Sequence, residues 1–231
     1  MKGLLKRIAP LLLSLLLGLS TGYARAEDLG ECDLGLKAYY ELMDLPEKSA
    51  DYKAFVPPSW KLEDTALGDL NKDGLADVAL LMSRSEGSGC FAEDVARAVV
   101  VAFRDRQGLY HKAAIGDAVP RLDCSMMSNV NVLIERGSLL VVNQWGERDY
   151  TEEKLRFRYE PKLKHFVMIG QDRSRVDRLT MNGREESLNL ITGDRIFELI
   201  KDGDVVSSSK TRNRPKRPVL LEAAVVEEVF E

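Results

Sequence analysis

The residues best suited to chemistry lie between positions 69 and 77, where oxygen-bearing side chains recur at alternate positions. Asp69, Asn71 and Asp73 occupy loop positions 1, 3 and 5, and Asp77 occupies position 9. The backbone carbonyl of Leu75, at position 7, can supply a further oxygen. Calcium is a hard cation that takes roughly six to eight oxygen ligands in proteins. These five groups and one water would reach the lower end of that range, so the segment predicts a calcium site.

The residues around these ligands decide what kind of loop the segment forms. Gly74 permits the sharp turn that would bring the ligands to one centre. Position 12, where an EF-hand requires a bidentate Glu, is Leu80, so the loop is not an EF-hand. Asp, Asn and Gly also form metal-free turns, because their side chains hydrogen-bond to the nearby backbone. That alternative stays open, although three carboxylates that converge without a cation would repel one another.

The phrase GDLNKDGLADVALLM, at residues 68–82, resembles the calcium loops of FG-GAP and VCBS-type repeats, which occur in extracellular β-propellers. The resemblance implies that calcium is held by the side chains of Asp69, Asn71, Asp73 and Asp77 and by the carbonyl of Leu75. A propeller requires about four or more blades, each with its own copy of the motif. Because the chain contains a single copy, we expect the calcium loop without the propeller.

The first 26 residues have the parts of a secretory signal peptide. They comprise a positive start at residues 2–7, an apolar run at residues 8–20 and the small-residue cleavage site Ala24-Arg25-Ala26. The apolar run is shorter than the roughly 20 residues that a membrane-spanning helix needs. We therefore predict cleavage after Ala26 and a periplasmic or secreted protein without a transmembrane anchor. The wider sequence also resembles a group of small exported bacterial proteins with a single such loop, which implies the same compartment.

Composition narrows the classes of function. The chain has 231 residues, with 33 Lys or Arg, 37 Asp or Glu and a formal net charge of −4. Hydrophobic residues make up 45% and charged residues 30%, which excludes wholesale disorder and a multi-span membrane protein. Cleavage would remove four basic residues and no acidic ones, leaving 29 basic against 37 acidic groups and a net charge of −8. Without a basic excess, we expect no nucleic-acid partner.

Cys32, Cys90 and Cys124 are the cysteines of the chain. In an oxidising compartment two of them are expected to pair, and the sequence allows each of the possible pairings. We favour a disulfide between Cys90 and Cys124, because Cys32 lies close to the expected mature N-terminus and chain ends are often loosely held. A metal site at the cysteines is disfavoured, since no C-x-x-C spacing occurs and histidine is scarce.

Hydrophobic spacing predicts one N-terminal helix followed by short strands. Apolar residues at helical intervals favour a helix over residues 33–44. The unbroken apolar runs at residues 78–82 and 98–103 are typical of central strands covered on both faces. Residues 129–135 and 138–144 are expected to form a hairpin. Further strands are predicted at residues 155–159, 166–169, 188–191 and 195–200.

Turn signals separate these strands at Pro161–Lys164, Asn182-Gly183, Gly193-Asp194 and Asp202-Gly203. We therefore predict a mainly β (α+β) fold with antiparallel meander or sandwich-like sheets, one N-terminal helix and no full propeller. The predicted organisation is a signal peptide at 1–26, an N-terminal helical segment at 27–58 and a single mostly β domain at 59–231 that contains the calcium-type loop.

A basic stretch at residues 210–217 is a second candidate for binding. In an extended chain, Lys210, Arg212, Arg214 and Lys216 would point the same way. Such a stripe could contact an anionic glycan, a lipid head group or an acidic partner. We favour the alternative of a solvated edge, in which these charges and the nearby prolines prevent strand association.

The sequence favours an exported calcium-binding β protein with a structural or binding role toward an unknown envelope or extracellular partner. Two alternatives stay open: an exported hydrolase that acts on envelope or extracellular material, and an anion-binding surface module that uses residues 210–217. The chain contains no complete G-x-S-x-G frame and no Gly-rich phosphate loop. We therefore predict no catalytic residue and no cofactor other than calcium.

Overall fold

Two antiparallel β-sheets, an α-helix and short 3-10 turns form the described part of the chain, which confirms the mainly β prediction. The structure is a computed structural model that describes residues 33–85, 95–117, 128–213 and 217–223. The predicted signal peptide, the cysteines Cys32, Cys90 and Cys124, and the basic residues Arg214 and Lys216 lie outside the described residues. The roles assigned to them therefore stay predictions.

The first sheet, sheet A, has five strands in the order β1-β5-β4-β3-β2. These are β1 (Lys48–Ser49), β2 (Lys61–Gly68), β3 (Asp77–Ser85), β4 (Val95–Arg104) and β5 (Tyr110–Gly116). The apolar stretches 78–82 of β3 and 98–102 of β4 are fully buried. Successive side chains point to opposite faces of a sheet, so both faces of sheet A are covered here. The two predicted central strands are confirmed.

Helix α1 (Asp33–Met43) and the segment after it cover one face of sheet A. Ala38 and Leu42 of the helix pack with Phe55 and Trp60 in a cluster with the alternate residues of β3 and β4. The indole Nε1 of Trp60 also donates a hydrogen bond to Oε2 of Glu41 at 2.8 Å. The predicted helix is confirmed, with its end one residue earlier than expected.

The second sheet, sheet B, is a meander in which each of seven strands pairs with its neighbours in sequence. Its strands are β6 (Asn129–Glu135), β7 (Ser138–Trp145), β8 (Asp149–Glu160), β9 (His165–Asp177), β10 (Asn182–Asn189), β11 (Asp194–Lys201) and β12 (Asp204–Arg212). The predicted hairpin of β6 and β7 is confirmed. It closes through Arg136 and Gly137, whose φ angles of 52° and 72° suit a two-residue type I′ turn.

The main core lies between the two sheets. Sheet A contributes the other face of its central strands, and sheet B contributes the inward face of β6–β9. The largest buried side chains of this core include Leu81, Leu139, Leu155, Phe157 and Phe166. Leu221, from a 3-10 turn at Leu221–Ala223, is fully buried in the same core. The helix, sheet A and the first half of sheet B therefore form three layers.

The strands β10, β11 and β12, which we call the outer strands, extend sheet B beyond this core. Leu188 is the only described side chain in these strands that is buried. Ile196, Leu199, Val205 and Val206 are apolar and nevertheless exposed. The outer strands are therefore held chiefly by backbone pairing and cross-strand side-chain contacts.

Two predicted boundaries in the outer strands are wrong. The strand predicted at 188–191 ends at Asn189, whose side chain accepts hydrogen bonds from the backbone N–H groups two and three residues further on. The turn predicted at Asn182-Gly183 lies earlier, because Asp177 accepts the same two kinds of hydrogen bond. In both places an Asx turn reverses the chain, and this local bonding prevails over the apolar and glycine signals nearby.

Candidate metal centre

The predicted calcium loop joins β2 to β3 and lies against the turn between β6 and β7. Lys72 and Gly74 have φ angles of 67° and 85°, so the chain curls back on itself within the loop. Leu70 is 1% exposed and packs into the core between the sheets. A Cβ built on Gly137 would lie 3.4 Å from the backbone oxygen of Asp69. The loop is therefore in contact with both sheets.

Asp69 organises the first half of the loop. Its Oδ1 accepts hydrogen bonds from the backbone N–H of Lys72 at 2.6 Å and of Asp73 at 3.1 Å. Its Oδ2 accepts one from the backbone N–H of Gly74 at 3.0 Å. The carboxylate therefore lies inside the turn, where a ligand at loop position 1 is expected.

Asn71 and Asp73 lie beside Asp69 in the same turn. Oδ1 of Asn71 accepts a hydrogen bond from the backbone N–H of Asp73 at 3.0 Å. Nδ2 of Asn71 donates to Oδ2 of Asp73 at 3.1 Å. Oδ1 of Asp73 accepts from the backbone N–H of Leu75 at 2.8 Å. The structure thus brings together three of the predicted side-chain ligands, and Leu75 follows directly.

Asp77 occupies a different place, because its side chain is fully buried beneath the loop. Its Oδ2 accepts hydrogen bonds from the backbone N–H of Leu70 at 2.8 Å and of Asn71 at 3.3 Å. Its Oδ1 accepts from the backbone N–H of Arg104, on β4, at 2.9 Å. Burial raises the pKa of Asp77, and these hydrogen bonds oppose that effect. Asp77 therefore ties the loop to β4, a contact that the loop spacing does not reveal.

The chemistry of the donor set suits calcium, since it consists of carboxylate, amide and carbonyl oxygens. A carboxylate offers about four acceptor positions and an amide oxygen about two. The hydrogen bonds given above leave at least one acceptor position unused on each of the four side chains, Asp69, Asn71, Asp73 and Asp77. Across residues 33–85, 95–117, 128–213 and 217–223, however, no three Asp, Glu, His or Cys side chains lie together at metal-ligand spacing. Calcium binding therefore requires these carboxylates to turn toward the loop centre.

A buried polar cluster on sheet B was not predicted from any motif. Glu153 on β8 is 1% exposed and Gln171 on β9 is 0% exposed. Oε1 of Glu153 accepts hydrogen bonds from Nε2 of Gln171 at 2.9 Å and from Nη2 of Arg173 at 2.6 Å. One feature of the sequence could have indicated this cluster. Glu153 is acidic, yet it falls in the alternating series of core-facing residues that includes Leu155 and Phe157.

The basic stretch at residues 210–217 is described as far as residue 213 and again at residue 217. Lys210 and Arg212 lie on one face of β12, as expected for an extended chain, and both contact Asp194 on β11. Nε of Arg212 donates to Oδ1 of Asp194 at 2.5 Å, and Nζ of Lys210 lies 3.1 Å from Oδ2. Two cations are thus engaged by one carboxylate on the surface of the sheet, which disfavours their use as an anion-binding stripe.

The pKa of Asp194 provides a direct test of this contact. Hydrogen bonds from Arg212 and Lys210 lower it from 3.8 to about 2. Because the folded pKa is depressed, the contact adds stability above pH 3.8 and loses that contribution as the pH falls toward 2. In a Lys210→Ala, Arg212→Ala variant, we expect the midpoint of Asp194 to rise toward 3.8, as measured by NMR titration of side-chain carboxyl carbons.

Asp177 supplies the internal control for that titration. Arg148 binds it through two nitrogens and holds its pKa at about 2 as well, and that pair is untouched by the variant. An Asp194 midpoint that stays near 2 in the variant, with Asp177 unchanged, would show that Lys210 and Arg212 do not engage Asp194.

The fold and the loop together define a mainly β chain with two antiparallel sheets and an acidic turn of sheet A that lies against sheet B. No protein-family model, no curated protein and no solved structure matches this chain. No described helix is long and apolar enough to cross a membrane. The functional interpretation therefore depends on the residues of the loop and on their surroundings.

Proposed function

We propose that this chain is an exported calcium-binding β protein in which the ion stabilises the junction between the two sheets. The supporting observation is that Asp69, Asn71 and Asp73 hydrogen-bond within one tight turn, directly above the buried carboxylate of Asp77. None of these carboxylates forms an ion pair with a described residue. Three carboxylates and a single cation, Lys72, therefore lie within nine residues, and none of the carboxylates is ion-paired with a described residue.

Electrostatic repulsion within the turn favours an ion over a metal-free loop. Burial is the main cause of the raised pKa of Asp77, and the nearby negative charge of Asp73 raises it slightly further. A divalent cation at the loop would be the largest local charge and would turn this repulsion into attraction. The hydrogen bonds of Asp69 to the backbone already hold the turn in a closed form, so ion binding would require the carboxylates to reorient but little ordering of the backbone.

The position of the loop supports a structural role for the ion. Leu70 anchors the loop in the main core, Asp77 bonds to β4, and the β6–β7 turn lies against Asp69. An ion in this loop would fix the end of sheet A against sheet B. With the signal peptide predicted from the sequence, this role suits an oxidising compartment in which calcium is abundant. Sites in extracellular modules have dissociation constants of about 10⁻⁴ to 10⁻³ M, and we expect this range.

Titration calorimetry with calcium tests the site, using Asp73→Asn as the informative variant. Asparagine keeps the acceptor for the N–H of Leu75 but removes one charge. We expect the parent to bind one calcium and the variant to bind it about tenfold more weakly, a loss of about 1.4 kcal/mol.

Asp51→Asn is the matched control for this titration. Asp51 is an exposed Asx residue that caps a 3-10 turn outside the loop by accepting the N–H of Lys53. The Asp51→Asn variant should bind calcium as tightly as the parent does. A parent that binds no calcium at millimolar concentrations, or an Asp73→Asn variant that binds as tightly as the parent, would overturn the proposed site.

A further inference from the structure

A groove of about 400 Å³ opens on the outer face of sheet B, the face that does not contribute to the main core. It lies where β10 ends and residues 217–220 take its place beside β9. Leu190, just beyond β10, donates its backbone N–H to the carbonyl of Ile169 at 3.1 Å. Earlier in β9, Met168 donates its N–H to the carbonyl of Val219 at 2.8 Å. This change of neighbour forms a seam in the sheet, and the groove lies at that seam.

Most of the described side chains that line the groove are apolar. They include Leu163, Val167, Ile169, Leu190, Ile191 and Pro218. Leu163 and Ile191 are 48% and 42% exposed. Val167 and Ile169 alternate with buried residues of β9, so they lie on the outer face of the sheet. Apolar side chains gathered around a groove of this size are typical of a ligand site.

Two arginines line the same groove without an anionic partner. Arg158 lies on β8, directly opposite Val167 in the register of β8 and β9, and Arg217 comes from the segment that replaces β10. Neither arginine side chain forms an ion pair with a described residue. Among the described lining residues, Glu160 supplies the one negative charge. The groove therefore combines an apolar surface with an excess of positive charge.

We propose that this groove binds a fatty-acid-like amphiphile, whose carboxylate is bound by Arg158 and Arg217 and whose hydrocarbon chain lies against the apolar residues. A guanidinium can bind a carboxylate through two parallel hydrogen bonds. A neutral apolar ligand would cover the two arginines without pairing their charges, which costs free energy, and a cationic ligand would be repelled. A carboxylate at the end of an apolar chain complements both parts of the groove. This binding does not depend on the calcium loop at residues 69–77.

Titration calorimetry with decanoate tests the proposal, with decanol as an uncharged ligand of the same chain length. A chelator is present throughout, because calcium would itself bind the carboxylate of decanoate. We expect the parent to bind one decanoate with a dissociation constant of about 10⁻⁴ M. Decanol should bind at least about tenfold more weakly. This comparison uses the parent protein alone, so its outcome does not depend on whether a variant folds.

Substitutions at the groove separate the contribution of charge from that of apolar contact. Arg158→Gln and Arg217→Gln should each weaken decanoate binding about tenfold and leave decanol binding unchanged. Ile191→Ser should weaken the binding of both ligands. The matched controls are Arg184→Gln and Leu179→Ser, at exposed residues that do not line the groove, and both should bind decanoate as tightly as the parent does.

Three results would overturn the proposed site. The first is a parent that does not bind decanoate. The second is a parent that binds decanoate no more tightly than decanol, since the arginines would then not recognise the carboxylate. The third is that Arg158→Gln and Arg217→Gln both bind decanoate as tightly as Arg184→Gln does.

Discussion

Replacing Asp77 with alanine is expected to lower the free energy of unfolding by about 3 to 5 kcal/mol. The variant leaves the backbone N–H groups of Leu70, Asn71 and Arg104 without their acceptor. A buried donor without a partner costs about 1 to 3 kcal/mol, and Leu70 is fully enclosed in the core. Urea denaturation followed by circular dichroism, with a chelator present, measures this loss separately from any effect of calcium.

Two further substitutions define what the Asp77 result means. Asp77→Asn keeps one acceptor oxygen, so it should lose less stability than Asp77→Ala. Asp51→Ala removes a carboxylate that accepts one backbone N–H at an exposed turn, and should cost about 1 kcal/mol or less. A loss from Asp77→Ala as small as that from Asp51→Ala would contradict the role of Asp77 as the tie between the loop and β4.

The Arg173→Ala variant is also expected to lose about 3 to 5 kcal/mol, because it leaves the charge of Glu153 buried and without its cation. Nη2 and Nε of Arg173 lie 2.6 Å and 3.1 Å from Oε1 of Glu153, which is 1% exposed. A double variant, Glu153→Gln with Arg173→Leu, removes both charges, keeps an acceptor for Nε2 of Gln171 and should recover most of the lost stability. Urea denaturation of the single and double variants measures the difference.

The adjacent ion pair on the opposite face of β8 is the control for that comparison. Nζ of Lys154 lies 2.7 Å from Oε1 of Glu152, and both side chains are partly exposed at 43% and 26%. Exposed pairs contribute at most about 1 kcal/mol, so Lys154→Ala should have a small effect. If Arg173→Ala lowered the free energy of unfolding no more than Lys154→Ala does, the ion pair with Arg173 would not be what stabilises the buried Glu153.

The parts of the fold that could be predicted are those in which local pattern and burial agree. The unbroken apolar runs of β3 and β4 predict strands covered on both faces, and the helix and the two sheets cover them. The β6–β7 hairpin follows from two apolar runs separated by Arg136-Gly137. In these elements, the residue period and the burial of the side chains lead to the same structure.

The parts that could not be predicted depend on residues far apart in the chain. The acceptor role of Asp77 requires Arg104, which lies 27 residues later. The contact of Glu153 with Arg173 requires the register of β8 against β9. The order of strands and the exposure of β12 also depend on which strands pair, and the sequence pattern of one strand does not specify its partner.

Thermal unfolding of the protein with calcium and with a chelator tests the proposed ion site. A ligand that binds only the folded state stabilises it by about 2.7 kcal/mol at 100 times its dissociation constant. For a chain of this size we expect a rise in Tm of about 5 to 10 °C. Asp51→Asn should show the same rise, and Asp73→Asn, which binds about tenfold more weakly, should show about half of it. A parent Tm that is the same in calcium and in chelator would mean that Asp69 to Asp77 form a metal-free turn.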